Sequence, residues 1–149
     1  MSEYVDNKAL RKLLFGRMCP RAAANHINAT TPYFTVSGGR ILVTGLVGLI
    51  TIASGANACS WTSTPTIGTA SVICAALDIN PALVGDSLTI TGLAADAMIY
   101  GGAGGLGMMA RRIVVNVGTI DFIAAAADGA SSWVLFYVPL DDGGLVRAA

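Results

Sequence analysis

Gly102-Ala103-Gly104-Gly105-Leu106-Gly107 satisfies the spacing G-x-G-x-x-G, and Asp121 lies 19 residues after its first glycine. In a dinucleotide site that pattern lets backbone approach a pyrophosphate at a helix N-terminus, while the later carboxylate holds a ribose hydroxyl. The chemistry needs a buried strand before the glycines, a helix after them and a crossover to a parallel strand. Only Leu106 to Arg112 could be helical before Val114-Val115, and 28 residues follow Asp121, too few to complete such a fold. A glycine-rich loop is the expectation.

The other reactive side chains are sparse. His26 is the single histidine, and no serine or cysteine with an orienting carboxylate is marked as its partner; a solvated or hydrogen-bonded loop histidine is expected. Asp141 and Asp142 sit between Pro139 and Gly143-Gly144, which reads as turn chemistry rather than a general acid and base. Cys19, Cys59 and Cys74 form an odd set without CxxC spacing, so neither a disulfide framework nor a zinc site is signalled. Asp78, Asp86 and Asp96 are too scattered for a calcium loop. Asn28-Ala29-Thr30 is a formal glycosylation sequon without a secretory signal before it. The chain is expected to be non-enzymatic, with no catalytic residues, metal or cofactor, and to fold in a reducing cytoplasm.

Composition gives a positive lead. Hydrophobic residues make up 54% of the 149 residues and charged residues 12%, against about 25% charged in an average soluble domain. So few charges cannot coat a single domain, and the apolar surplus must face other chains or lipid. Net charge is zero but unevenly spread. Lys8, Arg11, Lys12, Arg17 and Arg21 face only Glu3 and Asp6 in the first 21 residues, an excess of three positive charges that the remainder balances. The basic segment is expected to contact something acidic or to be a solvated arm. Specific nucleic-acid binding is not expected, because the aromatic residues lie in apolar runs away from the basic cluster.

No charge occurs between Arg40 and Asp78, and residues 41 to 59 resemble a membrane span. The strongly apolar part ends near Ala53, about 13 residues where a span needs about 20. Its β-branched Ile41, Val43, Thr44, Val47, Ile50, Thr51 and Ile52 favour a strand. A membrane-inserted protein is therefore the rival reading, not the expected one.

The elements follow from local pattern. Asp6 or Asn7 can cap a short helix to about Phe15, with Leu10, Leu13 and Leu14 on one face, Lys8, Arg11 and Lys12 on the other, and Gly16 placed to end it. That leucine stripe needs a surface, in its own domain or a neighbour's. Residues 16 to 32 read as an extended connector. Strands are predicted near 33–37, 40–53, 57–62, 69–77, 86–91, 112–117, 119–125 and 132–138, the second able to bend at Gly45 or Gly48. The last three are predicted to form a β-meander through turns at Gly118-Thr119 and Asp128-Gly129. Trp133, Leu135 and Tyr137 point one way and Val134, Phe136 and Val138 the other, so both faces call for cover. The expected architecture is all-β, an antiparallel β-sandwich or squat barrel, with helix and extended arm over 1–32 and the β domain over 33–149.

Two stretches carry a resemblance. One is Gly38-Gly39-Arg40-Ile41-Leu42-Val43-Thr44-Gly45-Leu46-Val47-Gly48 with the later Cys74-Ala75-Ala76-Leu77-Asp78-Ile79-Asn80; the other is Val117-Gly118-Thr119-Ile120 leading to Trp133-Val134-Leu135-Phe136-Tyr137-Val138-Pro139-Leu140-Asp141-Asp142-Gly143. Together they resemble the small β-rich virion proteins of tailed bacteriophages, including capsid cement or decoration proteins of HK97-type heads. The resemblance implies a homo-oligomer, dimer or trimer, assembled in the host cytoplasm, that binds the major capsid protein on the outside of the head and bridges capsomers against the pressure of packaged DNA. A tail, neck or fibre-base component shares the texture. On this reading Lys8, Leu10, Arg11, Leu14 and Arg17 are the expected capsid anchor, and Trp133, Phe136 and Tyr137 serve self-association or packing.

Overall fold

The computed structural model describes residues 6–102 and 104–149. Helix α1 spans Asn7–Phe15, and eleven strands follow: β1 (Arg17–Asn25), β2 (Ala29–Ser37), β3 (Ile41–Ile52), β4 (Ala58–Pro65), β5 (Ser71–Asp78), β6 (Ser87–Thr89), β7 (Ile99–Gly101), β8 (Ile113–Val115), β9 (Gly118–Ala124), β10 (Ala130–Pro139) and β11 (Leu145–Ala148). They form two antiparallel sheets packed as a sandwich. The first runs β1-β10-β3-β6-β7, with β8 also on β3; the second runs β11-β2-β9-β4-β5.

The pairings are nested. β4 and β5 form a hairpin; outside it β3 pairs with β6 and β8, then β2 with β9, then β1 with β10. The chain is thus one long antiparallel ribbon folded over so that the paired segments β1/β10 and β3 with β6 and β8 lie in the first sheet and β2/β9 and β4/β5 in the second, and β10 on β3 and β9 on β4 close the two layers. This is the strand order of a jelly roll, with β11 added outside β2.

Two expectations change here. Residues 16 to 32 are no connector: β1 is the edge strand of the first sheet, and the expected 32/33 boundary falls inside β2. Arg17, Pro20 and the alanines 22–24 carry no β-branched signal; the open side of β10 supplies the hydrogen-bond partners. An edge tolerates Pro20, and Pro32 sits at a register shift. The meander is also absent, because β8 and β10 belong to the first sheet and β9 to the second. Short apolar strands split by glycine read alike whether the chain turns back or crosses over. At Gly118, with φ of 151°, the strand backs so closely onto Thr64 that a Cβ would lie 2.2 Å from its carbonyl oxygen, a position only glycine accepts. The expected bend in β3 is a register shift between Val43 and Gly45, and the strand stays in one sheet. β7 and β11, short and glycine-flanked, were not expected.

The core is aromatic at its centre. Trp61 from the second sheet meets Trp133 from the first edge to face, with centroids 4.8 Å apart, and Phe122 and Tyr33 complete the cluster. Such pairs add to area burial. The Arg21 guanidinium lies 3.8 Å over the Tyr33 ring. Trp133 and Tyr137 are both fully buried, so they pack the sandwich rather than offer a surface.

Candidate partner-binding surface

The two outer faces of the sandwich differ in chemistry. On the second sheet, Thr35, Thr119 and Thr64 lie in one cross-strand row, flanked by Thr62 and Arg147. Asp121 accepts the Thr64 hydroxyl at 2.5 Å. This face is the more polar one, although the second Asp121 carboxylate oxygen is buried without a partner and Val72 opposite Thr62 is exposed. On the first sheet, alternation with buried Trp133, Leu135 and Tyr137 turns Val134, Phe136 and Val138 outward. Val134 lies opposite Val47 and Pro20, Phe136 opposite Met18, and Val138 opposite Leu42, which in turn faces Val114. Leu49, Met18, Val114 and Val138 are exposed.

Helix α1 borders this face. Its last residue anchors it: the Phe15 ring packs on Phe136 at 5.4 Å, and the Phe15 carbonyl accepts the Thr44 hydroxyl at 2.5 Å. The rest projects. No residue of α1 is buried, Asp6 makes no side-chain cap, and Leu13 is 86% exposed, with Leu10 and Leu14 also exposed. The leucine stripe therefore does not rest on its own domain. Lys8, Arg11 and Lys12 instead line a groove against β1 and β11, together with Arg17. The structure thus gathers the expected anchor residues Lys8, Leu10, Arg11, Leu14 and Arg17 at one end of the sandwich, cations toward the groove and leucines toward solvent. Phe136 is half-buried beneath Phe15, away from Trp133 and Tyr137. Met108, close against Gly45 and Phe136, is a further part of this face that sequence pattern did not single out.

The other reactive groups have structural surroundings. Residues 106–112 form no helix after the glycine-rich loop, and Ala103 lies outside the described residues. Burial pushes the Cys59 thiol up to about 12 and the Cys74 thiol up to about 11. Asp141 forms an ion pair with Arg40 at 2.9 Å, and hydrogen bonds from the Arg40 side chain and backbone hold its carboxyl down at about 2. This is the one ion pair among the described residues, where no cluster of three or more His, Cys, Asp or Glu could hold a metal. No described helix is long and apolar enough to cross a membrane, and the run that resembled a span is β3.

His26 is buried rather than solvated, and it locks the crossing from β9 to β10. Its Nδ1 faces the Asp128 carbonyl at 3.0 Å, and Nε2 faces Ser131 Oγ at 2.9 Å. A carbonyl only accepts, so Nδ1 carries the proton and Nε2 accepts from the Ser131 hydroxyl. Ser131 in turn accepts from Trp133 Nε1 at 2.8 Å. Asn57 spends its amide hydrogens on the carbonyls of Ala126 and Asp128. Ser131 is fully buried, so this serine–histidine pair meets no substrate. Burial pushes the His26 pKa below its ordinary 6.5. The unfolded chain then takes up a proton before the folded one does, so stability from neutral His26 is complete above about pH 6.5 and declines as pH falls through the lower folded value. The urea midpoint is expected to drop between about pH 6.5 and 5, and His26→Gln to flatten that slope, since no other imidazole exists. A midpoint constant across this window would refute the assignment.

Comparison with known protein families, with curated proteins and with solved structures returned no match to this chain.

Proposed function

We propose that this chain is a structural subunit of a virus particle, a cement or decoration protein that attaches to the major capsid protein and holds neighbouring capsomers together. The observation that carries the reading is the apolar outer face of the first sheet, continued by a leucine stripe that its own fold leaves wet. Burying one leucine is worth about 1.5–3 kcal/mol, so a surface of this kind is stable when another chain covers it. The threonine face opposite supplies the side that stays in solvent. Jelly rolls occur in capsid proteins, lectins and cupins alike, so the fold admits the reading without selecting it. The mechanism is cohesion: copies joined as dimers or trimers across seams add modest contacts that symmetry multiplies into avidity.

The test is attachment to particles stripped of this protein. A chain lacking residues 1–15 keeps every strand and is expected to fold with its β-sheet far-ultraviolet signal retained and the helical contribution of α1 lost, yet to bind particles at least about 100-fold more weakly. Deleting further, to residue 21, would remove half of β1 and confound the result. Full-affinity attachment without α1 would remove the anchor, and no attachment of the intact chain to any head, tail or neck would remove the virion reading.

A further inference from the structure

The groove between α1, β1 and β11 encloses about 390 Å³. Lys8, Arg11 and Lys12 stand at i, i+3 and i+4, on one helix face about 5–6 Å apart, and Arg17 faces them from the start of β1. Among the described residues no carboxylate lines it. Its floor is apolar, formed by Met18, Leu145 and Val146. Four cations held close together around such a floor repel one another and raise a local positive potential. They would be relieved by a ligand bearing several negative charges and apolar side chains at once.

The geometry points to an acidic peptide segment with interspersed apolar residues, belonging to a different protein, as the occupant of this groove. A nucleic acid fits less well. Among the described residues the only aromatic lining is Tyr137, fully buried, which offers no ring for a base to stack on, and a sugar–phosphate backbone would leave the floor uncovered. A second copy fits less well, because most of its described carboxylates are engaged at home: Asp78 by the Asn57 and Asn80 amides, Asp86 by Tyr100, Asp96 by Thr91, Asp121 by Thr64, Asp128 by Gly55 and Asp141 by Arg40. Asp142, beside the neighbouring depression that shares Arg17, and Asp6, at the start of the helix that carries the cations, are without such a bond. The inference rests on the attaching-subunit reading only for where the segment comes from.

The probe is a fluorescein-labelled peptide of about ten residues, alternating aspartate and leucine with serine spacers, titrated with the full chain by anisotropy. Its counterparts carry asparagine for aspartate, or are oligothymidylate of equal charge. Saturable binding of the acidic peptide is expected, weakening as salt rises. Arg11→Glu with Lys12→Glu should weaken it at least about tenfold, and Leu13→Ser on the opposite helix face should leave it unchanged. Equal binding of the asparagine peptide, tighter binding of oligothymidylate, or indifference to the charge reversal would each overturn the inference. Peptide binding by a chain that attaches to no particle would keep the groove and remove the virion reading; attachment without peptide binding would do the reverse.

Discussion

Trp133→Ala is expected to cost about 4 kcal/mol, within the range of about 3–5 for removing a buried large aromatic. The indole sits where the two sheets meet. Across the sandwich it meets Trp61 edge to face, and Phe122 lies 5.8 Å away. Within its own sheet it covers Gly48, where a Cβ would come within 2.7 Å of the ring. A glycine opposite an indole makes a complementary pair, and truncating the indole leaves a void that Gly48 has no side chain to fill. Trp133 Nε1 also gives Ser131 its donor, and Ser131 holds His26. Trp133→Phe, which keeps a ring but loses that donor, should cost only about 1–2 kcal/mol. Because a domain has about 5–15 kcal/mol in total, the alanine variant should unfold at a much lower urea concentration or aggregate on expression. Equilibrium denaturation decides, and a loss under about 1 kcal/mol would show that this contact does not hold the layers together.

Placing charge on the outer face of the first sheet should separate folding from association. Leu49 and Val138 lie outward on β3 and β10 and are partly exposed, so Leu49→Glu with Val138→Glu costs the isolated sandwich little, about 1 kcal/mol or less. In an interface the same carboxylates would be buried without partners, which costs several kcal/mol. Self-association and particle attachment are therefore expected to weaken at least about 100-fold, while urea stability of the dissociated chain barely moves. Thr35→Glu on the threonine face is the control and should change neither. Light scattering after size exclusion, followed by the particle-binding assay, reads both quantities. If the double variant keeps the parent's size and affinity, the apolar face is not the contact surface.

The two substitutions divide along one strand: from Ser131 to Val138 the odd positions of β10 look into the core and the even positions look out. That alternation is legible in the residues, as is the all-β class, because β-branched runs broken by glycine have few other solutions. Helix α1, Gly16 at its end and the shift in β3 near Gly45 were legible for the same reason: each depends on neighbours within a few positions.

Local pattern did not decide which strand pairs with which. β1 lacks strand-forming residues and exists because β10 has an open edge. β8, β9 and β10 look like a meander and are not one, because their inward faces suit either layer and only nested pairing fills both sheets. The burial of His26 also depends on a loop more than a hundred residues away. Composition alone shows how few charges there are for so many apolar residues, and that the basic residues cluster near the start. Where they lie follows from packing between distant segments: much of the surplus gathers on the outer face of the first sheet and on α1, with further exposed residues such as Ile67, Val72 and Val84 elsewhere, and the helix sets its cations along a groove and its leucines to solvent through the packing of Phe15 on Phe136.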